Sequence, residues 1–309
     1  MTETLGYFAH CIEDAGNELV AAECLALTGM LPGDDGFVEC DSIRRVGRSA
    51  YLRFGASCLA RSETLSALLS MIAGLGLSAE AFRVEILVLP GGQAVPGSST
   101  MTAVADMIEG GPQLVAPDRR FVVVSRRGGY WFGEILVSSD GGWQTHDEKP
   151  LRTSSSLPSR LCRAIVNLAV KPGDVVVNPC CGTGSFLLEA ASLGAEAYGI
   201  DHNAKMVSMS RKNLAHFGYS VSVEEGEAGD WERLGDVLLV DLPYDRNCKT
   251  TDANVQEIIR SSLPLAPRAV FVAEIDLTGW LRAAGYSQIT QYKVPKTPRF
   301  TRYIHSAQT

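Results

Sequence analysis

A glycine-rich turn is the segment of the sequence whose residues most clearly suit a binding role. It reads Asn-Pro-Cys-Cys-Gly-Thr-Gly-Ser over residues 178–185, after an apolar β-branched run (Asp174–Asn178) and before an apolar stretch (Phe186–Leu193). Gly182 and Gly184 allow the backbone to turn sharply and to approach a ligand closely. Free N–H groups at the start of the following helix can bind a carboxylate. The pattern predicts a ligand-binding turn between a buried strand and a helix, although a Gly-x-Gly turn by itself also occurs in ordinary connections.

Acidic residues follow the next three strands that the sequence predicts. Asp201 ends the run Ala197–Asp201, where it can accept hydrogen bonds from a ribose diol or cap the next helix. Glu227 follows the third strand and can accept a hydrogen bond from the amino group of adenine. Asp241 ends the run Val237–Asp241 and begins an Asp-Leu-Pro-Tyr sequence. Because ligands of a doubly wound sheet bind at the carboxyl ends of its strands, this order of acids favours a nucleoside site over an ordinary turn.

These motifs resemble those of the class I methyltransferases that use S-adenosylmethionine. More narrowly, NPCCGTGSFLLEA at residues 178–190 is similar to the D-P-x-C-G-T-G-x-x-x-x-E-A signature of the THUMP-containing tRNA guanine-N2 methyltransferases. The preceding segment 155–169 and the tail Thr301–His305 also resemble that family, so the resemblance spans nearly all of residues 151–309. It implies S-adenosylmethionine as methyl donor, no metal, and a cofactor site made of Asn178, Cys180, Gly182, Thr183, Gly184, Ser185, Asp201, His202, Glu227 and Ala228.

The resemblance also implies a catalytic role for Asp241, Leu242, Pro243 and Tyr244. Methyl transfer to an exocyclic amine requires the nitrogen lone pair to point at the methyl group, which depends on positioning and electrostatics. Asp241 and the backbone carbonyl of Leu242 or Pro243 would accept the two N–H bonds, and Tyr244 would stack on the base. Leu242 stands where the family usually has proline, which leaves the carbonyl in place. The alternative interpretation of Asp-x-Pro-Tyr is a turn that closes a strand.

Two positions depart from the pattern of the family. Asn178 replaces an acidic residue that would pair with the amino group of the cofactor. Its amide oxygen still accepts a hydrogen bond, and the loss of one charge-assisted bond costs about 1 kcal/mol, or roughly tenfold in affinity. Asp245 stands where the family usually has glycine and adds a negative charge near the base pocket. Both changes indicate a modified substrate or a weakened activity.

Strands and helices alternate through residues 151–309, which predicts an α/β, Rossmann-like methyltransferase domain with a parallel sheet. Two strands near Ile289–Val294 and Thr301–His305 follow the last helix and predict an antiparallel hairpin at one edge. In residues 1–145 the element order predicts an α+β, ferredoxin-like and THUMP-like RNA-binding region with antiparallel pairing. The polar residues 140–156, rich in Gly and Ser, are expected to form a linker.

The charge of the chain is acidic and unevenly distributed. Its 28 basic and 35 acidic residues give a net charge of −7, and residues 1–150 alone contribute −8 (11 basic minus 19 acidic). Proteins that bind nucleic acid usually lean basic, so contact with RNA must depend on local clusters. Two sets of residues could hold tRNA phosphates or simply be solvated surface: Lys293, Lys296, Arg299 and Arg302, and Arg119, Arg120, Arg126 and Arg127.

The eight cysteines form no C-x-x-C pair and are expected to be reduced thiols without a metal. The chain starts without the pattern of a secretory signal and has no apolar run of membrane-spanning length. These features predict a cytoplasmic location.

Three functions are compatible with the sequence. The first is methylation of the exocyclic N2 amine of guanosine in tRNA or another structured RNA. The second is methylation of an adenine amine in DNA or RNA, because similar motifs serve both bases. The third is a non-catalytic, methyltransferase-fold RNA-binding subunit, which Asn178, Asp245 and the acidic charge favour and for which a partner protein would supply positive surface. The presence of Gly182, Gly184, Asp201 and Asp241 together argues against this third function and favours an enzyme.

Overall fold

The structure is a computed structural model that describes residues 4–11, 17–243, 251–297 and 300–309 of the chain. The chain divides into a first unit, Met1–Asp140, and a second unit, Gly141–Thr309. Within the described ranges, no helix is long and apolar enough to cross a membrane.

The described part of the first unit holds a seven-stranded sheet and three α-helices. In chain order they are β1 (Tyr7–Cys11), α1 (Glu18–Thr28), β2 (Phe37–Cys40), β3 (Leu52–Ser62), α2 (Leu65–Gly74), β4 (Ser78–Val88), α3 (Gly97–Ala105), β5 (Glu109–Pro112), β6 (Arg119–Arg126) and β7 (Gly129–Ser138). The strand order across the sheet is β2-β1-β3-β7-β6-β4-β5. Alternate residues of β6 face two different cores, with Phe121 and Val123 in one and Val122 and Val124 in the other. Both faces of this sheet are therefore covered.

The pairing of β4 corrects the expectation that this region is antiparallel throughout. β1 pairs antiparallel with β2 and β3, and β7 pairs antiparallel with β3 and β6, as predicted. β4, however, runs parallel to both of its neighbours, β5 and β6. The helix α3 lies between β4 and β5 in the chain, and a helical crossover is the connection that a parallel pair needs. The prediction missed the parallel pairing of the two apolar strands β4 and β6, and it missed β5, Glu-Gly-Gly-Pro, which carries no apolar pattern from which a strand could be recognised.

The second unit holds a second seven-stranded sheet with helices along the chain between its strands. In chain order its elements are α4 (Ser159–Ala169), β8 (Val175–Asn178), α5 (Ser185–Ser192), β9 (Glu196–Asp201), α6 (Ala204–His216), β10 (Ser222–Glu225), β11 (Val237–Asp241), α7 (Asp252–Ser262), β12 (Arg268–Ala273), α8 (Thr278–Ala284), β13 (Ser287–Thr297) and β14 (Phe300–Gln308). The strand order is β10-β9-β8-β11-β12-β14-β13. The predicted sheet is confirmed: β8 to β12 are parallel, and β14 runs antiparallel to β12 and β13.

The direction of strand addition reverses at β8, which has β9 on one side and β11 on the other. Val177 of β8 pairs in parallel register with Leu238 of β11. The two strands therefore end at the same edge of the sheet, β8 at Asn178 and β11 at Asp241. A crevice outside the carboxyl ends of strands at such a reversal is where doubly wound sheets bind their ligands.

Candidate active site

The glycine-rich turn, residues 178–185, connects β8 to α5 and has two glycines in the left-handed region. Gly182 has φ 52° and Gly184 has φ 83°. A Cβ atom on Gly184 would lie 2.4 Å from Ser210 Oγ, so this position requires glycine for space as well as for conformation. Asn178 is buried, and its Oδ1 accepts a hydrogen bond from the N–H of Cys180 at 3.1 Å. The turn thus brings its backbone N–H groups to the carboxyl edge of the sheet, as the spacing of the glycines predicts.

Asp201 lies at the end of β9 and holds the turn through its carboxylate. One oxygen accepts a hydrogen bond from the N–H of Gly182 at 2.8 Å, and the other accepts one from the N–H of Asn203 at 3.0 Å. The N-cap of α6 is Asn203, whose side chain accepts from the N–H of Lys205. Asp201 is therefore not the helix cap that the sequence allowed. Because each carboxylate oxygen can accept more than one hydrogen bond, Asp201 retains capacity for a ligand.

The end of β10 supplies the third part of the site. The N–H of Gly226 donates to the carbonyl oxygen of Asp201 at 3.2 Å, which fixes the β10 end beside the β9 end. Glu227 follows with an exposed side chain and precedes a short 3₁₀ turn that begins at the buried Ala228. His202 is largely exposed, and its Nδ1 lies 3.8 Å from Asp201 Oδ1. These predicted cofactor residues accordingly lie at one edge of the sheet.

The thiol of Cys180 reports on the electrostatics of this edge. Burial raises its pKa far above the usual range, and the negative charges of Asp201, Asp241 and Glu227 raise the pKa further. Burial, followed by the charge of Asp201, also raises the pKa of Cys181 to about 12. Both thiols are protonated at neutral pH, so neither is a thiolate nucleophile. The three carboxylates that act on Cys180 create a negative field that favours a cationic ligand.

Asp241 is the last residue of β11 and is half-buried. Beyond it, the N–H of Leu242 donates to the carbonyl oxygen of Val272 at 3.0 Å, which fixes the first peptide of the Asp-Leu-Pro-Tyr sequence against β12. The side chain of Leu242 is buried and Pro243 is half-buried. Tyr244 and Asp245 lie outside the described residues. The structure thus places Asp241, Leu242 and Pro243 at the crevice.

A segment that the sequence did not identify as functional runs beside the glycine-rich turn. This crossing segment, residues 149–158, makes three side-chain contacts with the α5 and α6 side of the site. Lys149 Nζ donates to Ser185 Oγ at 2.6 Å, and the hydroxyls of Ser156 and Thr183 are 3.1 Å apart. Asn213 of α6 joins both parts, because its side chain bonds the backbone of Leu151 and its Nδ2 also donates to the carbonyl oxygen of Thr183. Residues expected to form a linker therefore pack against the glycine-rich turn and α6.

A buried cluster of charged and polar side chains joins α5 to α4 and to the 3₁₀ helix that precedes it. Glu189 lies 2.7 Å from His146 Nδ1 and 2.9 Å from Arg163 Nε, and all three side chains are almost fully buried. His146 belongs to a 3₁₀ helix, Gly142–Glu148, that also buries Trp143. Glu189, the glutamate of the signature, therefore has a structural role. The sequence signal for this cluster was an acidic residue within the apolar stretch Phe186–Leu193.

Comparison with known proteins connects this site to a family. Residues 147–284 match the UPF0020 family model, described as the RMKL-like methyltransferase domain. A probable tRNA (guanine(10)-N2)-dimethyltransferase of Methanothermococcus thermolithotrophicus is 30% identical over 114 residues, which cover 33% of this chain and 70% of that protein. The chain belongs to the methyltransferase family that includes this relative.

Two further similarities define how far the relationship extends. A tRNA (guanine(10)-N2)-dimethyltransferase of Methanothermobacter thermautotrophicus is 32% identical over 123 residues, or 38% of this chain and 37% of that protein. The chain therefore spans little more than a third of the length of that relative. The crystal structure of TrmN from Thermus thermophilus has a TM-score of 0.54 and 18% identity, and the match covers 98% of this chain and 99% of that one. At 18% identity, the similarity to TrmN shows a shared fold and nothing more.

The residues at the carboxyl edge of the sheet fit S-adenosylmethionine. The N–H groups of the glycine-rich turn suit its carboxylate, Asp201 suits its ribose, and the negative field around Cys180 suits its sulfonium. Ser185 is the one predicted cofactor residue whose hydroxyl already has a cationic partner, Lys149. Across the described ranges, no group of three or more His, Cys, Asp or Glu side chains could hold a metal ion.

The arginines proposed as phosphate contacts are mostly engaged within their own units. Arg302 is buried, with its guanidinium carbon 5.4 Å from the centre of the Phe300 ring. Both alternatives for Arg302, a phosphate contact and a solvated surface residue, were therefore wrong, because β14 turns this side chain inward. In the first unit, three of the four proposed arginines form ion pairs: Arg119 with Glu134, Arg120 with Glu85, and Arg126 with Asp35. Arg299 lies outside the described residues, and phosphate contacts by Arg127, Lys293 and Lys296 stay predictions.

Proposed function

We propose that this methyltransferase transfers the methyl group of S-adenosylmethionine to the exocyclic N2 amine of a guanosine in tRNA. The observation that supports this most directly is the position of Asp241, at the end of β11 and beside the glycine-rich turn across the β8–β11 reversal. The two curated relatives described above are both named as tRNA guanine-N2 dimethyltransferases. Asp241 in this position suits an amine acceptor, and those relatives suggest guanosine.

S-adenosylmethionine supplies an electrophilic methyl group on a cationic sulfur. Asp201 would bind its ribose hydroxyls, and Glu227 with the backbone near Ala228 would recognise its adenine. Asn178, Cys180, Thr183 and the glycines of the turn would surround its methionyl end. Because Asn178 is neutral and its oxygen is already bonded to the N–H of Cys180, the amino group of the donor gains little from it.

Asp241 would orient the acceptor amine and receive its proton. Its carboxylate accepts one N–H bond and the carbonyl of Leu242 or Pro243 accepts the other, so the nitrogen lone pair points at the methyl carbon. As the nitrogen would take the methyl group from the sulfonium, which leaves as the neutral thioether, the carboxylate of Asp241 would accept the proton that the nitrogen loses. Tyr244 would stack on the base. These groups act by positioning and electrostatics, which match the chemistry of an amine of low basicity.

The first unit would bind the RNA in this proposal. Its α+β composition is the reason to compare it with ferredoxin-like and THUMP-like modules, and its acidic charge is the reason to expect that a partner protein assists. A cytoplasmic location stays a prediction.

Transfer of labelled methyl groups to bulk tRNA, taken from cells that lack this gene, tests the proposal. Digestion to nucleosides should place the label in N2-methylguanosine or N2,N2-dimethylguanosine. Label in N6-methyladenosine would identify the adenine-amine alternative instead. If the protein binds S-adenosylhomocysteine but labels no tRNA, it acts on another acceptor or needs a partner. If it neither binds S-adenosylhomocysteine nor labels tRNA, it is the non-catalytic subunit.

A further inference from the structure

A cavity of about 320 Å³ lies along the crossing segment of the second unit. Its lining residues all belong to the range 147–158 and are Asp147, Lys149, Arg152, Thr153, Ser156, Leu157 and Pro158. None of the ten residues predicted to bind the cofactor lines it. The volume lies near the lower end of the range for small-ligand sites, roughly 300–1,000 Å³. The cavity is therefore a separate feature, next to the cofactor crevice.

Lys149 distinguishes this cavity from an ordinary packing defect, because it is a buried lysine without an ion-pair partner among the described residues. Its side chain is only 3% exposed, and its Nζ donates to the neutral hydroxyl of Ser185 at 2.6 Å. Among the residues that the structure describes, no carboxylate lies within 4 Å of Nζ. Glu189, a nearby buried acid, is already bound by His146 and Arg163. A buried ammonium without a counter-charge costs several kcal/mol, so this position suits a site that an anion fills.

Arg152 adds a second positive charge on the open side of the cavity. Its side chain is exposed, and within the described ranges its guanidinium has no hydrogen bond or ion pair. The planar fork of an arginine matches the geometry of phosphate oxygens. Thr153 and Ser156 add hydroxyls, which lie 3.1 Å apart and are linked through Ser156 to Thr183 of the glycine-rich turn. Asp147 is the one acidic lining residue, and its Oδ1 accepts a hydrogen bond from the N–H of Ser159 at 3.0 Å, at the start of α4. One buried cation, one exposed cation and two hydroxyls are left to form an oxyanion site.

We propose that this cavity binds a backbone phosphate of the RNA, adjacent to the nucleotide that is methylated, through Lys149 and Arg152. The proposal rests on the proposed function. A phosphate is favoured over the carboxylate of the cofactor because the cavity excludes the cofactor residues and because Arg152 faces solvent. An enzyme with a net charge of −7 needs such a local cluster to hold a polyanion. The contacts of Lys149 with Ser185 and of Ser156 with Thr183 keep the site beside the glycine-rich turn.

The test uses the full chain and four variants. Lys149→Met and Arg152→Gln remove the two charges, and Lys171→Met and Arg282→Gln remove exposed charges elsewhere in the second unit as matched controls. Fluorescence anisotropy with a labelled tRNA transcript measures RNA binding between 50 and 200 mM salt, conditions over which phosphate contacts lose affinity steeply. Calorimetry with S-adenosylhomocysteine measures the cofactor site separately, and thermal unfolding checks that each variant is folded.

We expect Lys149→Met and Arg152→Gln each to weaken tRNA binding about three- to tenfold near 150 mM salt and to reduce the slope of log affinity against log salt by about 1. KM for tRNA should rise with kcat nearly unchanged, and S-adenosylhomocysteine should bind as before. The controls should match the parent protein in every measurement. Because Arg152 is exposed, its variant should fold even if the Lys149 variant does not.

Three results would overturn this inference. Weaker S-adenosylhomocysteine binding by Lys149→Met, with tRNA binding unchanged, would assign Lys149 to the cofactor carboxylate. Unchanged tRNA affinity in both variants, with methylation intact, would reject the phosphate site and leave the proposed function standing. If the parent protein neither binds nor methylates tRNA, both the phosphate site and the proposed function fail.

Discussion

The carboxylate of Asp201 accepts a hydrogen bond from the backbone N–H of Gly182 at 2.8 Å. These residues come from the end of β9 and from the turn after β8, so one side chain couples the expected ribose position to the conformation of the glycine-rich turn. A second hydrogen bond, from the N–H of Asn203, holds the other oxygen. Asp201 is only 8% exposed, so both bonds are sheltered from water. Binding of the ribose and order in the turn therefore depend on the same group.

Asp201→Asn should weaken S-adenosylhomocysteine binding by tenfold or more. An amide presents an NH₂ group to at least one of two N–H donors, and a charged acceptor is replaced by a neutral one, at a cost of about 1.5–3 kcal/mol. Calorimetry measures the affinity, and thermal unfolding should show a loss of about 1–2 kcal/mol in the free energy of unfolding. The exposed Asp106 provides the control variant Asp106→Asn. Unaltered affinity in Asp201→Asn would remove Asp201 from the cofactor site.

Gly184→Ala should disrupt the turn for a steric reason that can be separated from the cost of positive φ. The added Cβ would meet Ser210 Oγ at 2.4 Å, whereas a Cβ on Gly194, at a similar φ of 78°, meets nothing within 4 Å. Gly194→Ala therefore measures the conformational cost alone, about 1 kcal/mol. Gly184→Ala should lose more than that, together with cofactor affinity, and Ser210→Ala in the same chain should restore part of the loss. Equal losses in the two single variants would contradict the steric account.

Asp241→Asn should separate cofactor binding from methyl transfer. The amide keeps the size of the side chain but removes the negative charge that orients the amine and receives its proton. We expect kcat to fall about 10²- to 10³-fold, as for other groups that act mainly at the transition state. S-adenosylhomocysteine affinity should stay within about threefold, since Asp241 contributes to the field at the sulfonium and S-adenosylhomocysteine lacks that charge. Glu232→Gln, an exposed change of the same charge, serves as control.

The order of elements in the second unit could be predicted because its strands carry local apolar patterns. Strands such as Val237–Asp241 are short, continuous apolar runs, and glycines or acids follow them. The start of α7 was harder to locate. The helix begins at Asp252, where Thr251 caps it through the N–H of Asn254, but its first large apolar residue is Val255. Apolar periodicity locates a buried face better than it locates a helix end.

The crossing segment could not be predicted because its contacts join distant parts of the chain. Lys149 and Ser185 are 36 residues apart, and Leu151 and Asn213 are 62 residues apart. A polar sequence rich in serine is typical of a linker, and only tertiary packing shows that its side chains hold the glycine-rich turn. The burial of Arg302 could not be predicted either. Alternation along β14 places this charged residue on the same face as the apolar Ile304.

Protonation of His305 should make the folded chain less stable as the pH falls below about 6.5. His305 is fully buried on β14, and its Nε2 accepts a hydrogen bond from the N–H of Leu277 at 3.1 Å. Burial lowers its pKa from 6.5, and the nearby carboxylate of Asp276 only partly offsets that effect. A lowered pKa in the folded state means that the unfolded chain binds the proton more readily. Stability is therefore complete above the unfolded pKa and is lost as the pH falls through and below it.

Thermal unfolding of the full chain between pH 7.5 and 5 measures this effect, over a range set by the unperturbed histidine pKa of about 6.5. His305→Gln, which keeps an acceptor for Leu277, should flatten the decline of the unfolding midpoint relative to the parent protein. His216 is exposed, so His216→Gln should leave the decline unchanged. Asp276 does not contribute in this range, because hydrogen bonds from Thr278 hold its pKa below its usual value and it stays ionised. An identical pH profile for His305→Gln and the parent would show that His305 takes up its proton without unfolding.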